Sequence, residues 1–362
     1  MIAEFSVENF FSIKSPQKIS FEPSSDTFMS DEYSCEVKDG VRLLKVGIIY
    51  GANASGKTNI LNAIEFFRML VLRMPKDRNE KTRVVPFMLD DTSRNEMTKM
   101  SMSFYINQSK FILTFELNAK YIYSETLIVY DSIRPTKLYS RSYDAETDST
   151  AIDFGGNLKL TKKSQDVISG NTINNCSVLA AFGKSNVERT RLNDVYDYFA
   201  NQVKDVLAPG MLLSGYVKSR LDKDENGDLK KFILNFLKAS DFNIEDVVLH
   251  EEEELITPEL EQLIQNAPIG NEAKAEMLRK GKITNTELTF KHKAGDGLYD
   301  LSEEYESNGT MRFMGLAVIL NFLLKTNRFV PIDEVETSIH YELLAYFLKV
   351  CLLYTSPSPR DA

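Results

Sequence analysis

The sequence contains no tryptophan and only three cysteines and three histidines among 362 residues. Cys35, Cys176 and Cys351 are odd in number and irregularly spaced, which indicates neither a disulfide framework nor a zinc site. This usage fits a reducing cytoplasm best. No apolar stretch reaches the ~18 residues that a membrane helix needs, and the N-terminus lacks a signal-peptide pattern. We therefore predict a cytoplasmic protein without a membrane partner.

Acidic residues outnumber basic ones, 52 to 43, and give a net charge of −9. With 43% hydrophobic residues the composition is that of a globular chain, and at about 150 residues per domain it allows two domains. The excess acid lies within residues 241–264, a stretch that holds no lysine or arginine. We interpret this stretch as a solvated helical face, and a dock for a basic partner is the alternative.

Hydrophobic periodicity predicts alternating strands and helices along the chain. An N-terminal hairpin, a buried strand and a β-meander that forms a second, antiparallel sheet are followed by a charged helical region, a strand, a helix and a short strand. In chain order, the predicted segments are 2–7 with 18–21, 46–50, a helix at 60–72, 99–143, 186–280, 283–290, a helix at 309–324, and 329–332.

Residues 51–58 match the phosphate-loop (Walker A) pattern G-x-x-x-x-G-K-[ST]. A buried strand before the loop and a helix after it are the context that this motif requires. The glycines permit a tight loop whose amides face a β-phosphate, and the helix N-terminus adds partial positive charge. Lys57 is predicted to bridge the β- and γ-phosphates, and the Thr58 hydroxyl to ligate Mg²⁺. The predicted nucleotide-binding residues of this segment are Gly51, Asn53, Ser55, Gly56, Lys57, Thr58 and Asn59.

Asp333 and Glu334 follow a short apolar run and form a candidate Walker B pair. In a phosphate-loop protein, one such carboxylate holds the Mg²⁺ shell and the next orients or deprotonates the attacking water. We therefore predict Asp333 as a metal ligand, and Glu334 together with Lys57 as catalytic residues. Pro331 has no N–H, so strand pairing is expected either to end there or to depart from regular geometry.

Ser307 and Gly309 stand at the start of the predicted helix 309–324. A serine, a glycine and a helix N-terminus together can bind an anion. The alternative is an ordinary N-cap, in which the serine hydroxyl accepts a backbone hydrogen bond. Their position between the phosphate loop and the acidic pair favours nucleotide contact.

The hairpin and the segments GANASGKTNILNAIEFF (51–67), ESNGTMRF (306–313) and FVPIDEVETSIH (329–340) resemble ABC-type ATPase heads of the RecF and SMC kind. The similarity is greatest to bacterial AAA-type ATP-binding proteins that are related to OLD ATPases and occur in phage-defence operons. It implies an α/β P-loop NTPase of ABC-head type, with a mixed core sheet, an antiparallel β-subdomain and an inserted helical subdomain. The implied divisions are an ATPase head at 1–185 and 285–350, and a helical insertion at 186–284.

The resemblance also implies how such a site works. In that family two heads sandwich two ATP molecules, and the signature of each head contacts the γ-phosphate held by the other. Carried over, Ser307 and Gly309 contact the partner's ATP, Asp333 holds Mg²⁺ and Glu334 activates water. The segment with Glu336, Ser338 and His340 resembles the dimer-facing part that follows the acidic pair.

These inferences predict an ATP- and Mg²⁺-dependent ATPase whose homodimerisation is a switch on an effector protein or a further C-terminal domain. The resemblance implies bacterial anti-phage defence by abortive infection as the setting. Two alternatives stay open, a RecF-like DNA-repair ATPase and a nucleotide-gated scaffold with little turnover. A basic cluster within residues 68–83 leaves nucleic-acid contact open, although such a run is more often a solvated loop.

Residues 351–362 are predicted to be a non-native tail. Residues 351–361 can be back-translated into a transposase adapter used in sequencing libraries. Under this hypothesis a strand that follows the acidic pair in ABC-type heads is absent, so the chain is expected to bind ATP but to hydrolyse it poorly. A natural Ser/Pro-rich terminus is the alternative.

Overall fold

The structure is a computed structural model that describes residues 1–25, 29–209, 211, 213–267, 270–326 and 328–354. The chain divides into two units. The first comprises Met1–Pro209, Leu323–Val335 and Val350–Ala362, and the second comprises Gly210–Phe322 and Glu336–Lys349. Of the predicted tail, residues 351–354 continue a helix, and residues 355–362 lie outside the described residues.

Three antiparallel sheets account for the named strands. The largest sheet has the strand order β2-β1-β5-β6-β7-β8-β9, and two smaller sheets have the orders β3-β4 and β10-β11-β12. The strands are β1 (Ile2–Glu8), β2 (Gln17–Ser20), β3 (Ser34–Lys38), β4 (Val41–Leu44), β5 (Thr98–Ile106), β6 (Ser109–Leu117), β7 (Ile122–Tyr130), β8 (Thr136–Asp144), β9 (Ser149–Phe154), β10 (Ile244–Leu255), β11 (Lys282–Ala294) and β12 (Gly297–Ser302).

Helices follow the phosphate loop and populate both units. None of the helices within the described ranges is long and apolar enough to cross a membrane. The α-helices are α1 (Ser30–Tyr33), α2 (Lys57–Leu72), α3 (Lys162–Asn171), α4 (Val178–Gly183), α5 (Arg191–Asp197), α6 (Ser214–Leu221), α7 (Asp228–Lys238), α8 (Pro258–Asn266), α9 (Asn271–Lys280), α10 (Asn308–Leu324) and α11 (Tyr341–Tyr354).

The predicted N-terminal hairpin and β-meander are both confirmed, but they belong to one sheet. Strand β1 pairs antiparallel with β5, with Val7 opposite Met100. Both side chains are buried in the same apolar core. The hairpin and the meander therefore share one core when their strands are joined in one sheet. The expectation of two separate sheets for these segments was wrong for this reason.

Helix α2 is anchored to the large sheet through Phe67, which is fully buried. The Phe67 ring contacts Phe5 of β1 and Phe115 of β6 edge-on, at centroid distances of 5.9 and 5.1 Å. It also lies 5.8 Å from Phe199. Edge-to-face aromatic contacts are directional as well as apolar. They therefore fix the position of α2 and of the loop that begins it.

The buried strand predicted at 46–50 is absent. This segment pairs with no strand in the described part of the chain, and Ile48, Ile49 and Tyr50 are 66%, 41% and 91% exposed. An apolar run becomes a buried strand only where neighbouring strands pair with it, and no described strand pairs with this one. The named strands also do not form the expected mixed core sheet, because they all pair antiparallel.

A short parallel pairing joins 203–207 to 329–333, where the sequence predicts a strand. Isolated bridges link Val203 with Phe329 and Leu207 with Ile332. Val203 and Leu207 are four positions apart, whereas their partners Phe329 and Ile332 are three positions apart. The segment 203–207 therefore bulges by one residue opposite Pro331. Pro331 cannot donate a ladder hydrogen bond, which accounts for the bulge. Pairing nevertheless continues to Asp333, whose amide donates to the Leu207 carbonyl at 3.0 Å.

The second unit contains a long strand in a region that the sequence predicts to be helical. Strand β10 carries the run Glu251–Glu254, so the interpretation of this run as a helical face was wrong. Its pairing with β11, a segment predicted to be a strand, overrides the helix propensity of glutamate. Lys282 of β11 forms an ion pair with Glu253 at 2.6 Å, which reduces the repulsion along the run.

Candidate functional site

The loop before α2 takes the backbone form of an anion-binding turn. Gly56 precedes the helix with a φ of +92°, and Ala54 has a φ of +60°. No side chain caps the helix N-terminus, and its first turn contains no acidic residue. The first amides of a helix have no intrahelical acceptor, and the helix dipole adds positive potential there. This N-terminus therefore favours an anionic group such as phosphate.

Lys57 folds back over the loop that precedes it. Its Nζ donates to the carbonyl oxygens of Gly51 and Ala52, at 2.9 and 3.0 Å. A phosphate oxygen forms a stronger, charge-assisted hydrogen bond with an ammonium group than a neutral carbonyl does. The ammonium therefore lies where it could donate to a phosphate oxygen in place of these two carbonyl oxygens. Thr58, the next residue of α2, is exposed at the same end.

Ser12 contributes to the loop although sequence reasoning did not select it. Asn59 donates its side-chain amide to the Ser12 Oγ at 2.7 Å. A β-carbon at Gly56 would lie 3.0 Å from the same oxygen, and one at Gly51 would lie 2.9 Å from the Ser55 Oγ. A side chain at either glycine would therefore crowd a neighbouring serine hydroxyl. The only sequence signal for Ser12 was its place in the turn of the predicted hairpin.

Asp333 and Glu334 lie at the end of the parallel pairing, in the same unit as the loop. Asp333 is 9% exposed, and no group within the described ranges hydrogen-bonds to its carboxylate. Glu334 is exposed and has a left-handed φ of +44°. A non-glycine residue in this conformation marks a strained turn, and such strain concentrates at functional sites. The turn separates a buried carboxylate from an exposed one.

Ser307 and Gly309 belong to the second unit, at the start of α10. The Ser307 Oγ accepts a hydrogen bond from the Thr310 amide at 3.0 Å and lies 2.9 Å from the Thr310 hydroxyl. The N-cap interpretation is thereby confirmed, and the nucleotide role of Ser307 stays a prediction. Arg312, on the first turn of the same helix, is buried, and desolvation lowers the pKa of its guanidinium.

Replacement of Gly309 by alanine is expected to destabilise the second unit by about 1–3 kcal/mol. An added β-carbon would lie 2.8 Å from the Ser338 carbonyl oxygen, a backbone atom that cannot move aside easily. Gly215, inside α6, has open space around the same position. Gly215→Ala is therefore the matched control and should be neutral or stabilising. Equal urea midpoints for the two variants would contradict the close approach at Gly309.

One protein family matches most of the chain. The profile of the family described as "AAA domain, putative AbiEii toxin, Type IV TA system" matches residues 48–359. The protein belongs to this AAA-domain family. The match includes the loop at 51–58, Ser307, Gly309 and the acidic pair, and it supports a P-loop ATPase. No curated protein matches the chain.

The AAA-domain residues present here fit a nucleotide with its magnesium ion. The uncapped amides of α2 and the Lys57 ammonium match the charge of a triphosphate. Mg²⁺ prefers oxygen ligands and commonly combines one or two protein ligands with phosphates and water. The Thr58 hydroxyl and the buried Asp333 carboxylate supply such oxygens. Two histidines, His292 and His340, instead lie beside Glu306 and Glu342 in the second unit.

Proposed function

We propose that this protein binds ATP at the loop 51–58 and hydrolyses it as an ABC-type ATPase. The observation that carries the proposal is the uncapped N-terminus of α2, with the Lys57 ammonium lying over the glycine-rich loop. Backbone amides and a lysine in this arrangement form the common cradle for a triphosphate. Gly51, Asn53, Ser55, Gly56 and Asn59 complete the cradle.

Different side chains would bind the metal ion and activate the water molecule. Thr58 and Asp333 would hold Mg²⁺, which neutralises charge on the phosphates when it is bound. The exposed carboxylate of Glu334 orients a water molecule and accepts its proton. Glu334 is exposed, whereas the side chain of the neighbouring Asp333 is buried. Two adjacent acids thereby take different tasks.

We further propose that ATP brings two copies of the chain together. Ser307 and Gly309 of one copy would contact the γ-phosphate bound by the other, and ATP hydrolysis would release the pair. Such a dimer is a switch, because the assembled state exists only while ATP is intact. The family description favours a toxin–antitoxin or abortive-infection setting, in which an effector protein reads the switch.

Replacement of Glu334 by glutamine is expected to lower phosphate release from Mg·ATP by about 100-fold or more, because the amide cannot accept the proton of water. ATP affinity should change by less than about threefold. The ATP-bound dimer should then accumulate, which light scattering after gel filtration can detect. Glu32→Gln, at an exposed position of α1, is the matched control. Equal and substantial phosphate release by wild type and Glu334→Gln would show that Glu334 has no part in hydrolysis, and negligible release by both would favour the scaffold alternative.

A further inference from the structure

Residues 303–306, here called the lead-in turn, lie between β12 and α10 in the second unit. The backbone of this turn closes on itself, since the Glu306 amide donates to the Glu303 carbonyl at 3.2 Å. The Glu303 carboxylate forms an ion pair with the Lys218 ammonium of α6. The same ammonium donates to the Thr286 carbonyl of β11 at 2.6 Å. The start of the lead-in turn is therefore fixed to both α6 and β11.

The end of the lead-in turn carries a buried carboxylate. The Glu306 side chain is 5% exposed, and its Oε1 meets the Nε2 of His292 on β11. Because a carboxylate accepts hydrogen bonds, Nε2 is the ring nitrogen that donates. Burial of a carboxylate is unfavourable unless a donor or a cation pairs with it. An apolar pair often fills such a position without loss of stability, so the polar pair points to a need for a directional contact.

His292 stands on the buried face of β11. Alternate residues of a strand share one face, and Leu288 and Phe290, four and two positions earlier, are fully buried. Strand β11 is central in its sheet, and its register places His292 opposite the buried Ile244 of β10. Paired strands therefore hold the imidazole from both sides, so that it can fix the position of the Glu306 carboxylate.

We propose that Glu306, held by His292, positions Ser307 for its contact with the nucleotide of the partner copy. This inference rests on the proposed ATP-dependent dimer. Ser307 directly follows Glu306, and its hydroxyl caps α10. A displaced Glu306 would therefore move both this hydroxyl and the first turn of α10, whereas a functional contact must be held to within about 0.5 Å. Glu306 and His292 are positioning residues, because they act through Ser307.

The test separates dimerisation from ATP binding, in the Glu334→Gln background in which the ATP-bound dimer should accumulate. His292→Phe keeps an aromatic ring but has no donor, and it should weaken ATP-dependent dimerisation about tenfold or more. His292→Gln places an N–H near the position of Nε2 and should dimerise to within about threefold of the Glu334→Gln parent. A residue that merely fills space would tolerate these two substitutions in the opposite order. His250→Ala, which removes an exposed histidine from β10, is the control and should change nothing.

Two measurements give these quantities. Light scattering over a range of protein concentrations yields the dissociation constant of the ATP-bound dimer. Displacement of a fluorescent ATP analogue, at protein concentrations too low for dimerisation, yields the ATP affinity of the single chain. This affinity should differ by less than about twofold among the variants, because the phosphate loop belongs to the other unit. Urea unfolding establishes that each variant is folded under the assay conditions.

A double-variant cycle shows whether His292 and Glu306 act as one contact. Glu306→Leu, alone or together with His292→Phe, should weaken dimerisation by the same factor as His292→Phe to within about threefold, because all three lose the same contact. Unchanged dimerisation of His292→Phe, or no better dimerisation of His292→Gln than of His292→Phe, would overturn the positioning role and leave the ATP-dependent dimer intact. Losses that multiply in the double variant would also overturn it. If the Glu334→Gln parent forms no ATP-dependent dimer, the proposed dimer fails and this inference fails with it.

Discussion

Replacement of Lys57 by alanine is expected to weaken binding of Mg·ATP by roughly 100-fold. In the structure its ammonium lies over the loop and donates to the carbonyls of Gly51 and Ala52. With a triphosphate present, the same group would donate to the β- and γ-phosphates, and a hydrogen bond to a charged partner contributes about 1.5–3 kcal/mol. The two carbonyl hydrogen bonds that Lys57 gives up offset part of the two phosphate bonds it gains, and a remaining difference of about 3 kcal/mol corresponds to roughly 100-fold in affinity. Calorimetry, or displacement of a fluorescent ATP analogue, measures it.

Lys120→Ala is the matched control for this experiment. Lys120 lies exposed between β6 and β7, where its loss removes one positive charge but no loop contact. Its ATP affinity should equal that of the wild type. Because Lys57 also bridges two carbonyls of its own loop, circular dichroism should first establish that Lys57→Ala is folded. A folded Lys57→Ala variant with unchanged ATP affinity would contradict phosphate binding at this loop.

Replacement of Glu125 by alanine is expected to give the largest loss of stability, about 3–5 kcal/mol. Glu125 of β7 is fully buried and lies opposite Arg141 of β8 in the sheet register. Its carboxylate accepts from the Tyr139 hydroxyl at 2.6 Å and from the Val178 amide, at the start of α4, at 2.8 Å. The variant would leave these two donors without their acceptor and the buried Arg141 guanidinium without its neighbouring negative charge.

The pKa values of this buried cluster move in the directions that desolvation dictates. Burial raises the pKa of Glu125, which hydrogen bonding from Tyr139 and the charge of Arg141 partly oppose. Burial also lowers the pKa of Arg141, and Glu125 opposes that change. Arg141 donates to the carbonyls of Ile122, Ile173 and Asn174. The charges of Glu125 and Arg141 therefore stabilise each other. Removal of one charge should lower the free energy of unfolding more than removal of both.

This dependence supplies the controls for the Glu125 prediction. The double variant Glu125→Leu with Arg141→Met should recover part of the loss, because neither buried charge remains, although Tyr139 and Val178 still lack their acceptor. Glu146→Ala, in the exposed turn after β8, should change the free energy of unfolding by less than about 0.5 kcal/mol. Urea unfolding of the four proteins measures these differences. A loss below 1 kcal/mol for Glu125→Ala would contradict the role of the cluster.

Local pattern sufficed to predict several elements. Alternation of period two predicted the hairpin and the meander because each strand has one face on the core. The phosphate-loop motif predicted a helix after the loop, and α2 begins at Lys57 itself. Pro331 correctly marked irregular pairing, since its missing N–H is a local property of the residue.

Features that depend on distant neighbours could not be predicted in this way. Residues 46–50 have the composition of a buried strand, but no strand within the described ranges pairs with them. The glutamates Glu251–Glu254 of β10 favour a helix, but their pairing with residues of β11 that lie 29 to 35 positions further along makes this segment a strand. Ser12 reaches Asn59 across 47 positions. Contacts between residues so far apart in the chain cannot be predicted from the periodicity of the sequence.

The most direct test of phosphate binding by the loop is hydrogen exchange of its backbone amides. Exchange within residues 51–60 should slow when Mg·ATP is added to the wild type, because those amides then donate to phosphate oxygens. Lys57→Ala should show no such change at the same ATP concentration. Saturating ATP that protects other segments, with exchange at 51–60 unaltered, would contradict the account and place the nucleotide elsewhere.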